Sequence, residues 1–413
     1  MSNPKEYQPR SFEVIDTSLR EGLQSPRLDD IGKYNLSPNE RIEIATALMK
    51  YGIRFMEVFS PVVNEKERSN LALLIEARNN HCLETGRPTF ILAHVRCHPQ
   101  DVEAALKAGV DGLNFYMGIS SEAQTFNHGK RLDEIVRIAR PLLEDIRRNH
   151  PRILLRFSGE DAFRTPIDDQ FAVYDPIVDL VDRIGTPDTV GTTTPRLVAK
   201  RVAQLKDRYP NVPLEGHFHD DRGLSLINSI TAIQAGMQYI QTSVLGMGER
   251  SGITSLTALL FNLYLEDPKL LDDFDVSQSY SLNVLFANIL GIQVPTTEPV
   301  SLTNRTHSAG VHISAVLKGT EAYEAHNLQA FGINERRLLL GSLSSRRTIQ
   351  YFLTNILNFV GVTEEIACAI YSQFKQRFPE MYNGEKPTHL LEEIAKNFQL
   401  TRLEKPSSHK EIL

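Results

Sequence analysis

Strand-like and helix-like segments alternate eight times within residues 1–265, and this alternation limits the fold more than any other feature of the chain. The strand segments are short runs rich in β-branched and aromatic residues: 12–19 (FEVIDTSL), 54–61 (RFMEVFSP), 89–96 (TFILAHVR), 112–119 (GLNFYMGI) and 153–161 (ILLRFSGED). A short sixth is expected near 188–190, a seventh leads into His217, and the eighth covers 239–245 (YIQTSVL). Helix signals fill the intervals. Ser37 can cap a helix, Pro38 suits its first position and Glu40 completes a capping box; Ile42, Ala45, Leu48 and Met49 follow at inner-face spacing. Gly52, Gly109 and Gly236 precede strands two, four and eight, where a left-handed residue turns a helix end into the next strand. Eight such units predict an α/β chain folded as a TIM (β/α)8 barrel. An open doubly wound sheet has the same local pattern, but no glycine-rich dinucleotide fingerprint follows the first strand.

Beyond the barrel, expected over 1–265, the pattern changes. Asp267-Pro268 and residues 295–299 (PTTEP) read as a linker over 266–299, with 276–290 helical. A small subdomain is expected over 300–347 and a helical C-terminal subdomain over 348–413, with Ile349, Phe352, Leu353, Ile356, Leu357 and Val360 on one stripe. The last residues, KPSSHKEIL, are expected to be mobile. A net charge of −6 without a basic stripe argues against nucleic acid as a partner. Cys82, Cys97 and Cys368 lie far apart and outside any CxxC, which suits a reducing compartment. No run of about 18 apolar residues occurs, and MSNPKEYQPR does not read as a signal peptide. The expectation is a cytoplasmic enzyme with no membrane attachment.

The chemistry gathers at strand exits. In Gly216-His217-Phe218-His219-Asp220-Asp221 the two histidines share one side of a strand, a ready metal chelate, although a pair of surface histidines would look the same. After strand one come Arg20 and Glu21; strand two carries Glu57, strand three His94, strand five Arg156 and Glu160, and strand six Asp188-Thr189. Each alone reads as a core ion pair or a solvated loop charge. Together they converge on the face of a barrel where function resides, and unpaired polar groups near a barrel core cost free energy.

Three segments carry a family resemblance. Residues 19–24 (LREGLQ) resemble the LR(D/E)GxQ signature of the metal-dependent Claisen-condensing family of isopropylmalate, homocitrate and citramalate synthases. Residues 213–252 resemble its second signature, with HxHDD and GxGERxG, and residues 306–312 (THSAGVH) resemble a segment that follows the barrel. The homocitrate synthase branch is most similar: Glu21 stands where isopropylmalate synthases have aspartate, Ile253 where they have a metal-facing asparagine, and residues 94–98 (HVRCH) match HxRCH. The chain also ends too early for a leucine-sensing C-terminal domain. Leu23, the long loop 25–35 and residues 341–345 (GSLSS) depart from the family pattern.

The resemblance implies a metal-assisted condensation of acetyl-CoA with a 2-oxo acid, 2-oxoglutarate giving homocitrate being favoured. It implies a divalent ion (Mg, Mn, Zn or Co) on Glu21, His217 and His219, with Arg20 stabilising charge on the ketone oxygen. Arg20, Glu57, His94, Arg156 and Thr189 would bind the oxo acid. His312, assisted by Glu160 and Tyr323, would be the base, reaching the site from the partner subunit of a homodimer. Isopropylmalate, citramalate or Re-type citrate synthesis remain alternatives within the family. A retro-Claisen lyase of the hydroxymethylglutaryl-CoA type is suggested by Gly22-Leu23-Gln24, but the loop after strand eight lacks that lyase's cysteine. A non-catalytic scaffold is the third reading, and the full residue set argues against it.

Overall fold

The computed structural model describes residues 12–33 and 35–403; the readings of the first ten residues and of the KPSSHKEIL tail lie outside them. The chain forms two compact units, one ending at Val300 and the other beginning at Ser301. In the first, eight parallel strands close into a barrel: β1 (Glu13–Asp16), β2 (Phe55–Phe59), β3 (Phe90–Arg96), β4 (Gly112–Gly118), β5 (Leu154–Glu160), β6 (Arg183–Asp188), β7 (Leu214–Phe218) and β8 (Tyr239–Thr242). Strand β8 pairs with β1, Glu13 opposite Tyr239, and closes the ring.

Local rules account for most element ends. The Ser37–Glu40 capping box forms and starts the helix Pro38–Tyr51, which stops at Gly52 with φ 107°. A side chain at Gly52 would put its Cβ 2.4 Å from the Asp273 carbonyl oxygen. The inner face of this helix uses Ile44 rather than Ile42, which is only half-buried. In the helix Ser225–Gln234 the apolar Ile227 is 44% exposed, and small or polar residues (Ser225, Asn228, Ser229, Ala232) face inward, because that side packs closely on the barrel wall.

Strand six is displaced from its expected position, 188–190, to Arg183–Asp188. Gly185 and Pro187 read locally as turn residues. All six strand residues are nevertheless buried, and a Cβ at Gly185 would lie 2.7 Å from Ser158 Oγ, so close packing against β5 selects glycine there. The segment expected as a linker, 266–299, is folded into the first unit. Its helix Ser279–Leu290 packs on the helix Pro38–Tyr51, and Tyr51 and Ser279 hydroxyls lie 2.7 Å apart. Buried Glu298 accepts hydrogen bonds from Ser255 and Thr257 hydroxyls at 2.7 and 3.1 Å, which ties residues 295–300 to the segment after β8.

Side-chain alternation along the strands places Ile15, Phe55, Phe90, Leu92, Leu154 and Tyr239 in one apolar cluster inside the barrel. The opposite parity faces the surrounding helices and forms the main core. The second unit has its own core, built around Ile349, Phe352, Leu353, Ile370, Phe374, Leu391 and Ile394; Val360, expected on the same stripe, is 42% exposed. It also contains a parallel pair of two-residue strands, β9 (Thr306–His307) and β10 (Arg337–Leu338). Among the described residues no helix is long and apolar enough to cross a membrane.

Candidate active site

On β7 the two-residue period puts Glu215, His217 and, just beyond the strand, His219 on the inner side. The same parity brings Arg156, Ser158 and Glu160 inward from β5 and His94 from β3. Glu21 arrives from the short 3-10 turn Glu21–Gln24 after β1. Ligating atoms of Glu21, His217 and His219 lie within 4.8 Å of one another.

The donor set suits a divalent cation. Gln241 Oε1 lies 2.7 Å from His217 Nδ1 and accepts its N–H, which leaves the Nε2 lone pair for a metal. His219 Nδ1 is buried without a hydrogen-bond partner, and its Nε2 is 3.9 Å from Glu21 Oε1. Burial lowers both imidazoles, His217 to about 3, so both stay neutral, as ligands must be. Burial alone would raise the Glu21 carboxyl, but the Arg20 guanidinium beside it brings it down to about 2. The Gly-rich loop after β8 completes the wall: Glu249 N–H donates to Glu21 Oε1 at 3.1 Å, and Arg250 holds Asp221 at 2.7 and 2.9 Å. Gly252, with φ 90°, permits this turn, since a Cβ there would stand 2.0 Å from the Gly246 carbonyl oxygen.

Beneath the triad lies a lattice of charges. Arg20 donates Nη1 to Glu21 Oε2 at 2.6 Å, and its Nε is 2.7 Å from Glu57 Oε1, an ion pair rather than an aligned hydrogen bond. Glu57 also accepts from Arg156 at 2.9 Å, from Gln241 at 3.1 Å and from Asn114. Arg156 reaches Glu215 at 2.9 Å, and Arg183 joins Glu215 at 3.0 Å while lying 4.7 Å over the Tyr239 ring. Glu57 is fully buried, and its pKa lies well below the carboxylate range: the pull of Arg20, His94 and Arg156 outweighs its burial.

Of the residues expected to bind substrate, Arg20, His94, Arg156 and Thr189 line one inner cavity of about 90 Å³, with Glu160 and the triad. Glu57 does not line it; it holds the residues that do. Thr189 Oγ1 accepts the Asp161 N–H at 2.8 Å, and burial raises the Glu160 carboxyl. An outer cavity of about 640 Å³ shares Arg20, Glu21, His94, Glu160 and Thr189. Beyond the expected residues the cavity is lined by Tyr116, stacked on His94 at 4.1 Å, by Ser158, Glu215 and Gln241, and by Gly185, Thr186 and Pro187 of β6. Counting by twos from Arg156 and His217 would have found Ser158 and Glu215; Tyr116 and Gln241 carry no local signal.

His312 and Tyr323 belong to the second unit, where their rings stack at 3.9 Å. Neighbouring Glu324 anchors that corner. It accepts from Arg305 at 3.1 Å, pairs with His307 Nε2 at 3.1 Å and accepts from Arg336 at 2.7 Å.

Barrel and triad together define an α/β barrel whose mouth carries a donor set able to hold a divalent metal. The HMGL-like family profile matches residues 11–285, and a second, described as homocitrate synthase post-HMGL domain-like, matches 300–378. The chain belongs to the HMGL-like family. It is 32% identical over 337 residues to the mitochondrial homocitrate synthase of Schizosaccharomyces pombe, covering 80% of this chain and 77% of that one. It is 32% identical over 326 residues to the cytosolic isozyme of homocitrate synthase from Saccharomyces cerevisiae, covering 78% and 72%. The solved HMG-CoA lyase of Bacillus subtilis superposes with a TM-score of 0.58 at 21% identity, over 70% of this chain and 97% of that one, a likeness of fold.

Proposed function

We propose that this chain is a homocitrate synthase, an acyltransferase that condenses acetyl-CoA with 2-oxoglutarate and hydrolyses the thioester. The observation that carries the reading is a single inner cavity with the Glu21–His217–His219 triad together with Arg156, Ser158 and Thr189. A 2-oxo acid can use the triad end for its oxo and carboxylate oxygens, and Arg156, Ser158 and Thr189 offer donors for a second carboxylate. His94, held beside Glu57 at 3.4 Å and flat against Tyr116, closes the side of the chamber.

A divalent ion on the triad supplies Lewis acidity toward the ketone and a template for its chelating oxygens. The remaining roles fall to the chain. Arg20 donates to the oxygen on which negative charge develops as the new carbon–carbon bond forms. His312 takes the proton from the acetyl methyl, Tyr323 orients its ring, and Glu160 completes the acid–base set. The outer cavity is large enough for the thioester arm. Water then cleaves the thioester, releasing the CoA thiol.

The working unit is a homodimer in which His312 and Tyr323 complete the partner's site, and the location is cytoplasmic. Mixing inactive Glu21→Ala with inactive His312→Ala chains tests the first point: sites formed in trans regain up to about half the activity per dimer, and sites formed within one chain regain none. Thiol release scanned over 2-oxoglutarate, oxaloacetate, 2-oxoisovalerate and pyruvate tests the substrate. A wide preference for 2-oxoisovalerate would overturn it, since that acid leaves the second-carboxylate donors unpaired.

A further inference from the structure

The second unit contains a cavity of about 430 Å³ that has no part in the chemistry above. Its walls are apolar and aromatic: Leu338 and Leu340 from the segment around β10, Tyr351, Phe352 and Ile356. Phe352 and Ile356 sit at the two ends of a π-helical turn, Phe352–Ile356, and such turns recur at functional sites. Its volume falls in the range of small-molecule pockets.

The charged groups in this wall are all cations. Arg336 is occupied by Glu324, but the side chains of Arg337 and Lys386 have no acidic partner among the described residues. Thr388 is 8% exposed, and its hydroxyl has no hydrogen-bond partner among the described residues. It lies in the first turn of the ten-residue helix Pro387–Lys396, whose N-terminus no side chain caps. A half-buried guanidinium, an ammonium, a free hydroxyl and an uncapped helix start on one edge of an apolar chamber call for an anion with an apolar body.

We propose that this cavity binds a small apolar carboxylate, its carboxylate held by Arg337, Lys386 and Thr388 and its body against Tyr351, Phe352 and Ile356. The ligand differs in kind from the dicarboxylate proposed for the barrel, whose cavity is lined mostly by charged and polar residues. Titration calorimetry on the full-length protein tests it with 4-phenylbutyrate and its uncharged amide as probes. Binding of the acid is expected, with the amide weaker by about tenfold, since a charge-assisted contact is lost. Arg337→Gln is expected to weaken the acid by about tenfold and Thr388→Val by several-fold. Glu21→Ala is expected to leave it unchanged. No heat up to about 10 mM, equal affinity for acid and amide, or insensitivity to Arg337→Gln would each overturn the proposal. So would loss of binding in Glu21→Ala, which would place the probe in the barrel.

Discussion

Glu57 lies within β2 and Glu21 beyond the end of β1, and their surroundings are opposite in kind. Glu57 is met by donors on every side: Arg20, Arg156, Gln241 and Asn114. Its charge is matched, and it presents nothing to the cavity. Glu21 has Arg20 and the Glu249 amide, but its other neighbours are two neutral imidazoles. Three groups with lone pairs aimed at a common point are mutually repulsive or indifferent until a cation is among them. A polar cluster that satisfies itself is scaffold, whereas one that lacks its central partner is a binding site.

Breaking the unsatisfied cluster should have the largest effect. His217→Ala is expected to abolish turnover and remove the bound divalent ion, read by elemental analysis; full activity in a metal-stripped variant would refute the triad. Arg20→Gln touches both clusters. It should retain the metal while lowering kcat by about 10²–10³-fold, the usual loss for one donor to a developing oxyanion. Glu57→Ala breaks the satisfied cluster and leaves Arg156 buried with one of its two carboxylate partners gone. It should cost roughly 3–5 kcal/mol in denaturant unfolding of the apoprotein. If stability is unchanged and only kcat falls, Glu57 is not scaffold and the contrast fails. Gln241→Leu removes the acceptor that sets the His217 tautomer together with one donor each to Glu57 and Glu215, and metal affinity should fall by about 10–100-fold.

The smallest effect belongs to Asp16, beside neither cluster. Burial pushes its carboxyl up to about 7, although Ser18 donates to it at 2.9 and 3.0 Å. The folded pKa is above the unfolded one, so the folded state holds the proton more tightly. Its contribution is fully present below the ordinary value of 3.8 and is lost as pH rises through about 7. Asp16→Asn should flatten the stability–pH curve across that window, measured by thermal unfolding of the apoprotein. An unchanged slope would mean that the carboxyl is already ionised.

Legibility differed between elements for physical reasons. The Ser37–Glu40 cap and the glycines at 52, 109 and 236 act over a few residues, so their consequences are visible in the chain itself. The His217–Phe218–His219 alternation is local too, because a strand has period two whatever surrounds it. Strand six was misplaced because Gly185 and Pro187 carry turn propensity, and their strand conformation comes only from pairing with β5 and β7. Residues 266–299 looked like a linker because their anchors, Tyr51–Ser279 and Glu298 with Ser255 and Thr257, join positions far apart in sequence.

What the sequence determined by itself was the order of elements, the barrel class and the residue types at the strand exits, since these follow from periodicity, capping and turn chemistry. Only the tertiary structure decided which of those charges are occupied and which are available. Arg156 reads alike in either role until Glu57 and Glu215 close on it from strands β2 and β7 and hold it at the cavity wall with N–H donors to spare. Closing the barrel brings side chains from all eight strands into one low-dielectric space, where Glu57, Arg156 and Glu215 are defined by partners dozens to hundreds of residues away.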